Sequence, residues 1–300
     1  MTAIAASQAW LKRRERSNPV IIKIAFWMAL RIGRRMARLL LHPICLYYVI
    51  FSPSSRAASR GFLLRVFGHL PGAVEIYRHH FYFGACLLDR IFLLHDRQNL
   101  FDIHVHGEDV VAEILAGGRG CILAGAHAGS FEIVRAIGRK HGAMRVALLM
   151  YQENAQKLMA GLEAIRPKLS TEIISLGRRD SMLKVRDLLD AGAFIGILAD
   201  RSIQSEERSL CPFLDEQAAF PIGPFRLAKI LRCPMVMMLG LYDGGNRYDV
   251  YFEKLADWPE ASRIESQTTA DQALRSYVAR LEQHIRRSPY NWFNFYDIWH

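Results

Sequence analysis

The stretch Ala124-Gly125-Ala126-His127-Ala128-Gly129-Ser130-Phe131-Glu132 sets a histidine and a carboxylate five positions apart among small residues, after an apolar run and before a helical pattern. Imidazole exchanges protons near neutral pH, and a carboxylate held against it fixes the tautomer and stabilises the imidazolium that forms. His127 and Glu132 are therefore the expected general base and its orienting partner. Ala128 and Gly129 leave space for a substrate to approach the ring, and Glu132 falls in the first helical turn, where the helix dipole favours its charge. Ser130 is a poor nucleophile in this setting, because Phe131 and Glu132 follow it and no G-x-S-x-G elbow is formed. A core histidine beside a solvated glutamate has the same spacing, so the pair needs company before it defines a site.

The elements that must carry these residues follow from apolar periodicity. Runs of strand length occur at Phe101 to Val105, Cys121 to Ala124, Val146 to Met150, Glu172 to Ser175, Phe194 to Ala199, Met235 to Leu241 and Tyr248 to Phe252. Helical patterns lie between them at Glu108 to Leu115, Phe131 to Lys140, Ala155 to Ile165, Ser181 to Leu189 and Phe225 to Leu231, with a last helix at Ala270 to Arg287. Alternation of this kind predicts an α/β fold with a mostly parallel central sheet flanked by helices. Ser54 to Leu94 reads as two helices broken at Pro71-Gly72. The aromatic end, Pro289 to His300, is expected to be buried, against the body or at a membrane interface.

With 300 residues, 51% of them hydrophobic, the chain can bury a large core. Its formal charge of +10 is concentrated at the front: residues 1–65 hold twelve Lys and Arg against Glu15 alone, so the rest is close to neutral. A basic, apolar-rich front end suits an anionic membrane surface rather than nucleic acid, for which no motif is present. The apolar patches Val20 to Leu30 and Leu39 to Phe51 are separated by Arg31, Arg34, Arg35 and Arg38 and interrupted by Pro43. Neither reaches the roughly 20 residues of a spanning helix. Residues 1–53 are expected to form amphipathic or membrane-anchoring helices, or a helical pair packed on the body, and residues 54–300 a single α/β domain. No secretory signal is expected. Cys45, Cys86, Cys121, Cys211 and Cys233 are odd in number and carry no zinc-type spacing, which predicts reduced thiols in the cytosol. His79-His80 and His104-x-His106 lack a completing carboxylate or cysteine, so no metal site is expected.

His127 to Glu132 resembles the H-x4-[D/E] motif of the glycerolipid and lysophospholipid acyltransferase superfamily. Ile197-Leu198-Ala199-Asp200-Arg201-Ser202, Pro212-Phe213-Leu214, Ala218 to Pro224 and Leu231-Arg232-Cys233-Pro234 follow in an order similar to the branch containing bacterial lipid A late acyltransferases. The ending Tyr290-Asn291-Trp292-Phe293-Asn294-Phe295-Tyr296 is more similar to the acyltransferases grouped beside that branch, whose lipid acceptors vary. Phe220-Pro221 is followed by Ile222-Gly223, unlike the superfamily's phosphate-binding Phe-Pro-Glu-Gly.

The resemblance implies direct transfer of an acyl chain from an acyl carrier protein or coenzyme A thioester to a hydroxyl or amine of a membrane lipid or glycolipid. His127 would take the acceptor's proton and Glu132 would orient it, with no metal, no cofactor beyond the thioester and no covalent intermediate. The Gly129 and Ser130 backbone N–H groups are expected oxyanion donors. Asp200 and Arg201, at the same sheet edge if the strands are parallel, are expected to bind the acceptor or the donor's phosphopantetheine, or to form a structural ion pair. Arg178 is expected to meet an anionic head group or the carrier protein. The expected location is the cytoplasmic face of a bacterial inner membrane. Two alternatives use the same residues: a thioesterase or lipid hydrolase in which water replaces the acceptor, and a non-catalytic lipid-binding protein.

Overall fold

Ile122–Gly125 and Met235–Tyr242 are buried along their whole length, the pattern of strands covered on both faces. They sit at the middle of a seven-stranded sheet in a computed structural model that describes residues 19–141, 145–151, 172–177, 180–201, 207–258 and 269–299. In chain order the elements are α1 (Pro19–Phe51), α2 (Pro53–Phe67), α3 (Ala73–Leu94), β1 (Asp102–His106), α4 (Glu108–Ala116), β2 (Ile122–Gly125), α5 (Phe131–His141), β3 (Val146–Tyr151), β4 (Glu172–Leu176), α6 (Ser181–Asp190), β5 (Phe194–Leu198), β6 (Arg208–Phe213), β7 (Glu216–Pro221), α7 (Gly223–Ile230), β8 (Met235–Tyr242), β9 (Arg247–Ala256) and α8 (Ala270–Arg287).

The sheet order is β1-β9-β8-β2-β5-β3-β4. All neighbours are parallel except β8 and β9, which run antiparallel across the short turn after Tyr242. Strand periodicity divides the core in two. Ile122, Ala124, Met235, Met237 and Leu239 face a layer containing Phe62, Val185, Phe225, Leu274 and Trp292. Leu123, Val236 and Met238 face a layer containing Ala37, Phe92, Ile114 and Val134.

The hairpin β6–β7 departs from the sequence expectation, which placed no strand between Ala199 and Met235. Its tip is the two-residue turn Leu214-Asp215, both at positive φ, a geometry normally announced by Asn-Gly or Asp-Gly. Burial of Leu214 and the hydrogen bond from its backbone N–H to Glu282 (2.9 Å) hold it there. Pro212 is tolerated because this is a separate two-stranded ribbon. The expected helix Ala155 to Ile165 lies outside the described residues.

At the front, no single helix among the described residues is long and apolar enough to cross a membrane; the bent pair formed by Trp27–Phe51 and Pro53–Phe67, at 94°, passes by length and composition together. Helix α1 packs along α3, and two of its arginines turn inward. Arg34 donates to both oxygens of the fully buried Asp89 (2.7 and 2.8 Å), and Asp89 also accepts from the Tyr248 hydroxyl (2.9 Å). Arg38 binds the Tyr242 hydroxyl and the Gly245 carbonyl. Outward, Met36, Leu40, Ile44, Tyr47 and Phe51 are exposed at helical spacing. All five cysteines are buried free thiols.

Candidate active site

Strands β2 and β5 are parallel neighbours with Gly125 opposite Leu198, so His127 and Asp200 each emerge two residues beyond a matched pair. They meet. The His127 Nδ1 lies 2.8 Å from Asp200 Oδ1, and the His127 backbone N–H donates to Asp200 Oδ2 at 2.9 Å. The Trp292 indole N–H adds a third contact, at 3.1 Å to Oδ2. With Asp200 ionised, Nδ1 carries the proton, and the lone pair resides on Nε2, the far ring nitrogen. The His127 side chain is 32% exposed and opens into a cavity of about 610 Å³.

Asp200 sits far below the usual carboxylate range: burial pushes its pKa up, and is outweighed by the facing imidazole, the hydrogen bonds it accepts and Arg201. His127 is shifted down, chiefly by burial and further by Arg201, against the upward pull of Asp200. A neutral imidazole at pH 7 braced by a permanent anion is a base ready to accept a proton.

The expected partner Glu132 is placed otherwise. Its oxygens go to Arg90 (3.2 Å) and Arg135 (3.1 Å), in a buried cluster on the wall of the same cavity. The reason is geometric: five residues on, Glu132 is already on the first turn of α5, whereas the loop after the adjacent strand delivers Asp200 directly to Nδ1. Asp200 therefore replaces Glu132 as the group hydrogen-bonded to the imidazole.

The expected oxyanion donors are also engaged elsewhere. The Gly129 N–H donates to the Asn291 carbonyl (2.9 Å) and the Ser130 N–H to the Gly240 carbonyl (2.7 Å). The backbone approach is close enough that a Cβ on Gly129, which has φ of +63°, would lie 2.0 Å from the Gly240 oxygen, so only glycine fits. Both residues still line the cavity, as does Arg201, whose guanidinium donates to the Phe293 carbonyl (2.8 Å) and lies over the Tyr296 ring. Arg178 lies outside the described residues.

Beyond the polar end the cavity walls are apolar: Leu148 and Met150 of β3, Leu176 of β4, Met182 of α6, Ile197 and Leu198 of β5, and Leu227 of α7. Phe83 and Leu87 of α3, both partly exposed, are also in its lining. Two lining features were missed in the sequence. Arg90 lies within α3 in a stretch with no motif, and Phe293 belongs to a tail whose place is settled only by folding. The tail packs on the body, with Trp292 wholly buried.

The histidine pairs His79-His80 and His104-x-His106 lie outside the cavity lining. His79 is buried between Ser59 Oγ (2.7 Å) and the Trp292 carbonyl (2.9 Å), and burial pushes its pKa down to about 3. His104 and His106 pair with Asp102 and Asp249. Among the described residues no group of three metal-binding side chains occurs.

No match was found among curated proteins. The family model for bacterial lipid A biosynthesis acyltransferases matches residues 10–300, nearly the whole chain and all of the geometry above. The chain belongs to the bacterial lipid A biosynthesis acyltransferase family.

Proposed function

We propose that the protein transfers a fatty acyl chain from an acyl thioester, carried by acyl carrier protein or coenzyme A, to a hydroxyl or amine of a lipid or glycolipid acceptor at the cytoplasmic face of a bacterial inner membrane. One observation carries this reading: an Asp200-braced imidazole in a cavity of about 610 Å³ whose lining is mostly apolar. Acyl chain and base need that juxtaposition.

His127 Nε2 takes the proton of the acceptor hydroxyl as its oxygen attacks the thioester carbonyl. The C–O bond forms, the carbonyl electrons move onto oxygen, and collapse of the tetrahedral intermediate breaks the C–S bond. The proton held by the imidazolium passes to the departing thiolate, so base and acid are the same residue. Asp200 holds the ring and offsets the imidazolium charge. The positive end of α5 and the Arg201 guanidinium face the cavity and favour the oxyanion. Glu132 holds Arg90 at the cavity wall, where the guanidinium is suited to an anionic group of donor or acceptor.

Incubation with labelled acyl thioester and bacterial membrane lipid is expected to move label into a lipid product. Release of free fatty acid alone would make the protein a thioesterase and overturn the transferase reading.

The membrane assignment is supported by the exposed apolar residues of α1 and the exposed Arg31 and Arg35 beside them. Binding to vesicles containing anionic phospholipid is expected to weaken as salt rises and to be lost on deletion of residues 1–51. Each basic group near the surface contributes about 1 kcal/mol. Equal binding to neutral and anionic vesicles at every ionic strength would remove the electrostatic part of this assignment.

A further inference from the structure

The carboxylate that braces His127 is itself held by the end of the chain. Residues 291–293 lie antiparallel to the loop after β2: Ala128 bridges Trp292, the Gly129 N–H donates to the Asn291 carbonyl (2.9 Å), and the Phe293 N–H donates to the His127 carbonyl (2.8 Å). The Asn291 side chain pairs with both backbone groups of Tyr242 at the end of β8 (2.8 and 3.0 Å), and Arg201 reaches the Phe293 carbonyl. The tail thus ties together the ends of three separate strands. Within it, Trp292 sends its indole N–H to Asp200 Oδ2, and its ring is packed edge-on by Phe62, Phe213 and Trp299. Its carbonyl accepts from His79 Nε2, while His79 Nδ1 faces the Ser59 hydroxyl, so even the backbone of this residue is locked.

The indole N–H is the third donor on a wholly buried carboxylate that already accepts from the His127 backbone and faces its ring, so it acts directly on the group that braces the imidazole. We infer that Trp292 is a positioning residue for acyl transfer, holding the Asp200 carboxylate in the plane and at the distance that orient the His127 ring.

The indole N–H withdraws part of the carboxylate's charge. Without it, Asp200 attracts a proton on the facing imidazole more strongly, and the ring is less firmly aimed. The groups that face His127 and Asp200 from surrounding elements are Arg201 beside them, Glu132 with Arg90 and Arg135 across the cavity, Tyr277 of α8 and Tyr296 of the tail, with His79 behind Trp292. None of these loses a hydrogen bond when the indole is replaced by a phenyl ring.

The inference rests on the acyl-transfer reading for its kinetic part only. Trp292→Phe removes the N–H and keeps an aromatic ring; Phe62→Leu loosens the packing of Trp292 and keeps the N–H. In full-length protein with carbon-13 at histidine Cε1, the His127 resonance is identified by its absence in His127→Gln. Trp292→Phe is expected to raise the His127 titration midpoint by about half a unit or more, and Phe62→Leu to leave it in place. With dodecanoyl coenzyme A and membrane lipid extract, Trp292→Phe should lower kcat about tenfold, leave KM for the thioester near its original value, and move the acid limb of kcat/KM upward with the NMR midpoint. An unmoved midpoint in Trp292→Phe, or an equal shift in Phe62→Leu, overturns the inference and leaves Trp292 as packing. If acyl transfer itself is misassigned, the unaltered protein moves no acyl chain to lipid while the NMR shift in Trp292→Phe persists.

Discussion

His127→Ala is expected to lower acyl transfer about a thousandfold, the range for loss of a general base that also serves as the acid. Asp200→Asn should cost about a hundredfold or more although it is isosteric, because an amide neither offsets the imidazolium charge nor enforces the Nδ1–H tautomer. The pH profile separates the two carboxylates. In the proposed mechanism His127 acts when neutral, and its pKa is held below the ordinary 6.5, first by burial and then by Arg201, against the pull of Asp200. Activity therefore rises with pH on a limb centred below 6.5 and is flat above it. Removing the Asp200 charge takes away the carboxylate pull that favours the imidazolium, so the limb moves to lower pH while its plateau falls. Glu132→Gln leaves the limb in place, because Glu132 bonds Arg90 and Arg135 rather than the ring. A limb moved by Glu132→Gln and unmoved by Asp200→Asn would reverse the assignment of the orienting carboxylate.

Asp89→Ala should destabilise the fold by about 3–5 kcal/mol, as expected when one partner of a buried ion pair is removed and the other is left behind. The Asp89 carboxylate is wholly buried on α3 and receives two bonds from Arg34 and one from Tyr248. Truncation leaves a guanidinium with 10% side-chain exposure facing a void, together with an orphaned tyrosine hydroxyl. Denaturant unfolding followed by tryptophan fluorescence reads this directly. Arg34→Met combined with Asp89→Leu should recover much of the loss, since an apolar pair avoids the desolvation of both ions. A change below about 1 kcal/mol in Asp89→Ala would mean that α1 is held by apolar contact alone.

The clasp also changes the reading of the basic front end. Of the four arginines that interrupt its apolar patches, Arg31 and Arg35 are exposed, while Arg34 and Arg38 are tied to the body. Charge counted along the chain overstates the charge offered to a surface. Periodicity cannot show the difference, because a helical arginine looks the same whether its partner is water or an aspartate 55 positions away.

Element by element, the apolar runs predicted the strands of the main sheet because a strand covered on both faces must be apolar at nearly every position, as β2 and β8 are. The hairpin β6–β7 was hidden because its tip places leucine and aspartate at positive φ without the usual glycine, a conformation supported by the burial of Leu214 rather than by local preference. The tail could be seen to need burial from its aromatic content. Its contact with Asp200 could not, since that depends on where β8 and β5 end relative to each other.

By itself the amino-acid sequence determined the α/β class, His127 as the residue on which the proposed chemistry centres, and the family resemblance that the match over residues 10–300 confirms. Those follow from local pattern: residue type, spacing and period. Tertiary structure decided which carboxylate meets the base. Glu132 is five residues from His127 and Asp200 is seventy-three, yet the sheet order sets β5 beside β2, and the first turn of α5 carries Glu132 to Arg90 and Arg135. Strand adjacency is chosen by global packing and crossover connection, not by distance along the chain, and the Trp292 bond that completes the site is a consequence of the same choice.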